Sequence, residues 1–201
     1  MFGVLVSYIS IEDSKKMTES EINMIQGLRK QSPQAQQLTL EHYGKGVFAL
    51  VARMVPQVED AEEVYQDVFV KVFSNIGLYD EGKASFKTWI SHIAYNESIT
   101  FLRHKRPLKI YISDDEEEVA ALSEEEVEET FGHLSQETIQ LIREALKHLP
   151  PDEKAIITMF YYEEMSLKEI AFITESLPTT IASKLSRTRK KLCRIIKQLQ
   201  S

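Results

Sequence analysis

Between residues 110 and 129 the chain carries ten acidic side chains and no lysine or arginine. A block of like charge repels itself and stays extended, and Pro107 just ahead of it stops any helix that reaches it. Whatever folds must therefore fold on either side of this run. The division read from this is an extension of residues 1–16, a helical body over 17–107, an acidic linker over 108–133 and a second body over 134–201. The linker is either a plain solvated tether or a segment with work of its own, and charge alone does not choose.

The same run distorts the overall charge. The chain counts 24 basic and 31 acidic residues, net −7, which argues against a nucleic-acid partner. Outside residues 110–129 the balance is 24 basic to 21 acidic, net +3. Residues 182–201 hold Lys184, Arg187, Arg189, Lys190, Lys191, Arg194 and Lys197 and no acid. Such a concentrated basic segment is the electrostatic footprint of phosphate binding. With 43% apolar residues there is material for a core, and thirteen glycines and prolines are too few for a small-stranded sandwich or barrel. A single cysteine allows no internal disulfide and no cysteine cage for a metal, and fits the reducing cytoplasm. No apolar run is long enough to span a bilayer. Residues 1–10 lack the basic start of a signal peptide, and Thr18-Glu19-Ser20-Glu21 reads as a capping box, so Met17 is a candidate start of translation.

Apolar residues spaced by three and four predict helices over 34–55 and 58–75. The second has an acidic first turn (Glu59, Asp60, Glu62, Glu63) and Lys71 near its end, as a helix dipole favours. After a polar loop, Ser85 is positioned to cap a third helix running to Arg106. There Phe86, Trp89 and Tyr95 alternate with Lys87, Thr88, His92 and Asn96. Two readings stay open: aromatic anchors of a core with a solvated charged face, or a platform for stacking unpaired bases beside cations that hold the backbone.

In the second body, Ser166-Leu167-Lys168-Glu169 is a second capping box, opening a short helix over 167–173. The turn 174–177 leads to Pro178, suited to the first position of a long basic helix with an apolar stripe at Ile181, Leu185, Leu192, Ile195 and Leu199. This is a helix-turn-helix pattern, whose second helix would offer Thr179, Thr180, Ser183, Lys184 and Arg187 to a major groove. An ordinary helical hairpin with a solvated basic face is the plainer alternative.

Taken in order, Asp60-Ala61-Glu62-Glu63-Val64-Tyr65-Gln66-Asp67-Val68-Phe69, Phe86-Lys87-Thr88-Trp89-Ile90, Leu149-Pro150-Pro151-Asp152-Glu153-Lys154 and Ser166-Leu167-Lys168-Glu169-Ile170-Ala171 resemble a bacterial RNA polymerase sigma factor. The resemblance is to the extracytoplasmic-function (ECF) type of the sigma-70 family, and covers about residues 36–107 and 144–196. It implies an all-α fold of two small domains, a region 2 bundle and a region 4 helix-turn-helix. It also implies a transcription initiation factor that binds core RNA polymerase through the clamp helices of its largest subunit and through its flap. By this resemblance Asp60, Glu63, Gln66, Asp67 and Phe69 meet the polymerase. Lys83, Ser85, Lys87, Trp89, His92, Asn96 and Arg103 serve −10 DNA, where a flipped base needs apolar walls and a few polar groups. Thr179, Thr180, Ser183, Lys184, Arg187 and Lys191 serve the −35 element. An anti-sigma factor, a membrane-associated one included, is the further partner implied. Three positions depart from the family pattern: Glu175 where glycine is common, Ser176 where an apolar residue is usual (Leu177 then being the candidate to fill that role), and Ala182 in place of a basic residue.

No motif for a phosphate-binding loop, dinucleotide, zinc protease or esterase nucleophile occurs, so no catalytic, cofactor or metal residue is assigned and no small-molecule substrate is expected. Cys193 among basic residues reads as a small apolar side chain of its helix rather than a sensor. The rival within DNA binding is a stand-alone dimeric helix-turn-helix regulator on a palindrome; the rival outside it is a helical adaptor with a basic tail.

Overall fold

The computed structural model describes residues 17–105 and 136–200. Expectations that fall on the extension of residues 1–16, the acidic linker, Arg106 and Pro107 lie outside them. The described residues are helical, without a strand: α1 (Glu19–Arg29), α2 (Pro33–Met54), α3 (Val58–Ser74), a 3-10 turn (Ile76–Leu78), α4 (Phe86–Lys105), α5 (Gln136–Lys147), α6 (Pro151–Tyr161), α7 (Leu167–Ile173) and α8 (Pro178–Gln200).

Local chemistry accounts for where these helices start. Thr18 accepts from the Glu21 amide and opens α1. The reciprocal half of that expected box is absent, because Glu21 instead accepts from the Tyr43 hydroxyl at 2.8 Å and ties α1 to α2. Pro33 and Pro151 occupy first-turn positions, where a missing amide proton costs nothing. Ser85 accepts from the Thr88 amide at 3.1 Å and so caps α4. Ser166 and Glu169 form the full reciprocal box at the start of α7.

Helices α1–α4 close around Leu28, Leu50, Met54, Val64, Val68, Phe86 and Ile90. Close approach matters at Gly27, where a Cβ would stand 2.7 Å from the Cβ of Ala35 on α2. Helices α5–α8 close around Leu149, Ile156, Met159, Ile170, Ile173, Ile181 and Ile196. The two helical bodies expected from the sequence are both present, and they pack on one another: α6 lies on α2 and α7 lies on α4, and the two apolar cores join in one cluster. The physical reason is legible in the contacts, since carboxylates of the second body find cationic and hydroxyl partners on α4.

Candidate nucleic-acid interface

The first candidate face is the N-terminal half of α4 with the loop before it. Phe86 is fully buried, packing edge-on against Tyr43 and Tyr79. Trp89 stacks on Phe86 with centroids 5.8 Å apart and is only half-buried. The core-anchor reading therefore holds for Phe86, while Trp89 keeps part of its ring accessible. Tyr79 donates to the Ala84 carbonyl at 3.2 Å, fixing the loop that delivers Ser85. Burial, reinforced by the Glu21 and Glu81 carboxylates, pushes the Tyr79 phenol up to about 12.

Three polar residues of this face, Lys87, Thr88 and His92, meet the second body. Lys87 Nζ lies 2.9 Å from Glu163 Oε2 and donates to the Glu163 carbonyl at 2.8 Å. Thr88 donates to Glu169 Oε1 at 3.0 Å. His92 Nε2 lies 3.2 Å from Glu175 Oε1 and 3.0 Å from Asn96 Nδ2, so its one ring position either donates to the carboxylate or accepts from the amide. The His92 and Phe172 rings are 5.6 Å apart. Burial, with the Asp152 carboxylate adding to it, raises the Tyr95 phenol. Of the expected −10 residues, Lys83, Ser85 and Arg103 stay exposed, Lys83 lying 3.7 Å from Asp80.

The second face is the tip of α8. Thr179, Thr180, Ser183 and Arg187 are exposed side by side, as the helix-turn-helix pattern predicts. Lys184 is partly covered, 3.8 Å from Asp152. Lys191 lies further along α8 and faces α6: its side chain is 17% exposed and 3.8 Å from Glu153. Glu175 has φ 52°, so the turn does use the left-handed conformation that glycine adopts without penalty. Leu177 does not take the apolar turn role, being 68% exposed. Instead the Ser176 amide donates to the Ala171 carbonyl at 2.9 Å and closes the end of α7.

The third face is α3. Glu63, Gln66 and Asp67 are exposed, and Asp60 is ion-paired with Lys105 of α4. Phe69 is 4% exposed and packs between Tyr65 and Phe73, so it supports this surface from beneath rather than standing on it. Two apolar residues that spacing did not single out, Val70 and Leu78, are 65% and 77% exposed on α3 and the following turn. Among the described residues no group of His, Cys, Asp or Glu is placed to hold a metal, and Cys193 is buried. No described helix is long and apolar enough to cross a membrane.

Two family models match the chain in order: Sigma-70 region 2 over residues 39–107 and Sigma-70, region 4 over residues 139–192. The chain is similar to the RNA polymerase sigma-H factor of Pseudomonas aeruginosa, 24% identical over 90% of this chain and 96% of that protein. It is likewise similar to the ECF RNA polymerase sigma-E factor of Escherichia coli, 27% identical over 88% of this chain and 93% of that one. Among solved structures it resembles the sigma factor RpoE bound to the anti-sigma factor NepR from Bartonella quintana (TM-score 0.59, 21% identity, 80% and 96% of the two chains). It also resembles CnrH bound to the cytosolic domain of CnrY (TM-score 0.58, 17% identity, 88% and 96%). At such identities these two structures establish the fold alone.

Proposed function

The chain belongs to the sigma-70 family as a sigma factor of the ECF type, a transcription initiation factor that directs RNA polymerase to promoters, and from that premise we propose how its surfaces divide the work. Residues 17–107 act as region 2, 134–201 as region 4 and 108–133 as the tether. On α3, Asp60, Glu63, Gln66 and Asp67 meet the clamp helices of core polymerase, with Val70 and Leu78 as apolar neighbours. On α4, Trp89 and Asn96 form the wall and polar edge for an unpaired −10 base, with Lys83, Ser85, Lys87, His92 and Arg103 along the strand. On α8, Thr179, Thr180, Ser183 and Arg187 enter the −35 major groove while Lys184 holds phosphate.

The observation that carries this reading is the exposed polar tip of α8, set by a fully capped α7, in a chain that matches both sigma regions in order. A stand-alone dimeric regulator fits less well, because the first body matches region 2 and not a dimerisation unit. In this reading the protein carries out no chemistry of its own, works in the cytoplasm, and is held by an anti-sigma factor, as RpoE is held by NepR in the similar structure. The test is transcription with purified core polymerase on a genomic promoter library. Initiation at a discrete subset of promoters is expected; no stimulation by the folded chain overturns the reading.

A further inference from the structure

At the tip of α8 the helix's own hydrogen bonds decide what each exposed side chain has left to offer. Ser183 donates its hydroxyl proton to the Thr179 carbonyl at 3.0 Å, one turn back. A serine hydroxyl has one proton and two lone pairs, so with the proton engaged its oxygen remains an acceptor alone. Among the described residues nothing donates to that oxygen, and Ser183 is exposed. The Ser183 carbonyl in turn accepts from Arg187 Nε at 3.5 Å, which leaves the terminal nitrogens of the guanidinium as donors. Thr180, exposed beside them, makes no side-chain hydrogen bond among the described residues and keeps both roles. The tip therefore presents an acceptor at Ser183 and a donor fork at Arg187, one turn or about 6 Å further along the axis.

We propose that Ser183 selects an amino base, adenine or cytosine, over a keto base, guanine or thymine, at a −35 position neighbouring the guanine of Arg187. This rests on the assignment of α8 to −35 DNA and gives that site its base preference. In the major groove adenine N6 and cytosine N4 are donors, whereas guanine O6 and thymine O4 are acceptors. To serve a keto oxygen, the hydroxyl must let go of the Thr179 carbonyl, exchanging one hydrogen bond for another with little net gain. To serve an amino group it keeps that bond and adds a second, a preference of about three- to tenfold at the usual net value of one such bond. A keto oxygen set against the unchanged hydroxyl meets only lone pairs. The spacing fixes the neighbourhood, because about 6 Å is less than two base-pair steps of about 3.4 Å. The amino base thus lies one or two positions from the guanine.

The experiment uses the full chain with purified core polymerase at one fixed salt concentration. A promoter that initiates with this chain is taken from the genomic library, and its upstream element is randomised. Wild type, Ser183→Ala and Arg187→Ala are compared for the sequences they enrich. Both side chains are exposed, and helical content by circular dichroism checks that each variant is folded. The position that loses its preference in Arg187→Ala marks the guanine. One or two positions away, wild type should enrich A or C over G and T, and Ser183→Ala should lose that preference by about three- to tenfold. In the selected duplex the amino base is then replaced by its counterpart without the exocyclic amine, purine for adenine or pyrimidinone for cytosine. Wild type should lose about three- to tenfold more binding on that replacement than Ser183→Ala does. A Ser183-dependent preference for G or T, or none within two positions of the guanine, overturns the proposal. So does a uniform loss on all sequences in Ser183→Ala, or a removal of the amine that weakens both chains alike. If wild type enriches no upstream sequence at all, the assignment of α8 to −35 DNA itself falls.

Discussion

Arg187 stands on the open side of α8, one turn past Ser183, whose carbonyl its Nε approaches at 3.5 Å. In the proposed −35 contact the guanidinium would enter the groove, where its fork matches the two acceptors of a guanine edge. Arg187→Ala should weaken binding to a matched −35 duplex by about 1–3 kcal/mol while binding to random duplex changes less. Fluorescence anisotropy on the two duplexes checks this, and an equal loss on both would make Arg187 a phosphate contact. Glu175 shows the limit of reading such residues one at a time. Its place in the turn marked it as a site where glycine is usual, and its φ of 52° agrees. Its carboxylate facing His92, 83 residues away, had no signal in the chain.

At the scale of the element, the helices owe their boundaries to local chemistry and their spacing to a few small residues. Gly27 lets α1 approach α2 so closely that any added methyl collides with Ala35. Gly27→Ala would gain about 1 kcal/mol of helix propensity but force apart a packed pair at about 1–3 kcal/mol, so a net loss near 1 kcal/mol is expected. Gly77, with nothing near its would-be Cβ, is the internal control: Gly77→Ala should be neutral or stabilising by up to about 1 kcal/mol. Urea unfolding of both variants checks the pair. On α4 the periodic pattern found the helix but not the division of its aromatics, because Phe86 and Trp89 differ in burial only once α2 and the loop before α4 are in place.

For the molecule as a whole, the first body is tied together by phenols. Tyr43 bridges to Glu21 of α1, and Tyr79 lies under the loop before α4. Burial raises both, with the Glu21 carboxylate adding to it, Tyr79 to about 12. A phenol whose folded value lies above its unfolded value of about 10 contributes stability that is complete below pH ~10 and lost as pH rises toward the folded value. Stability should therefore hold steady to about pH 10 and fall between about 10 and 12, and Tyr43→Phe/Tyr79→Phe should flatten that fall. Urea midpoints across the alkaline range check the sign; a fall that is unchanged in the double variant would assign it to other groups.

Residue order alone determined the helical class, the capped starts at Thr18, Ser85 and Ser166, the helix-turn-helix pattern and the partition of charge. The helices and their caps depend on neighbours three or four positions apart, a distance over which the backbone leaves little choice. Tertiary structure decided which polar groups are free to act. Nothing near Lys87 and Thr88 in the chain marks their partners, Glu163 and Glu169, which stand 76 and 81 residues away. No local spacing encodes such a pairing; it exists only because α6 and α7 come to rest on α2 and α4, bringing carboxylates to donors that would otherwise face water.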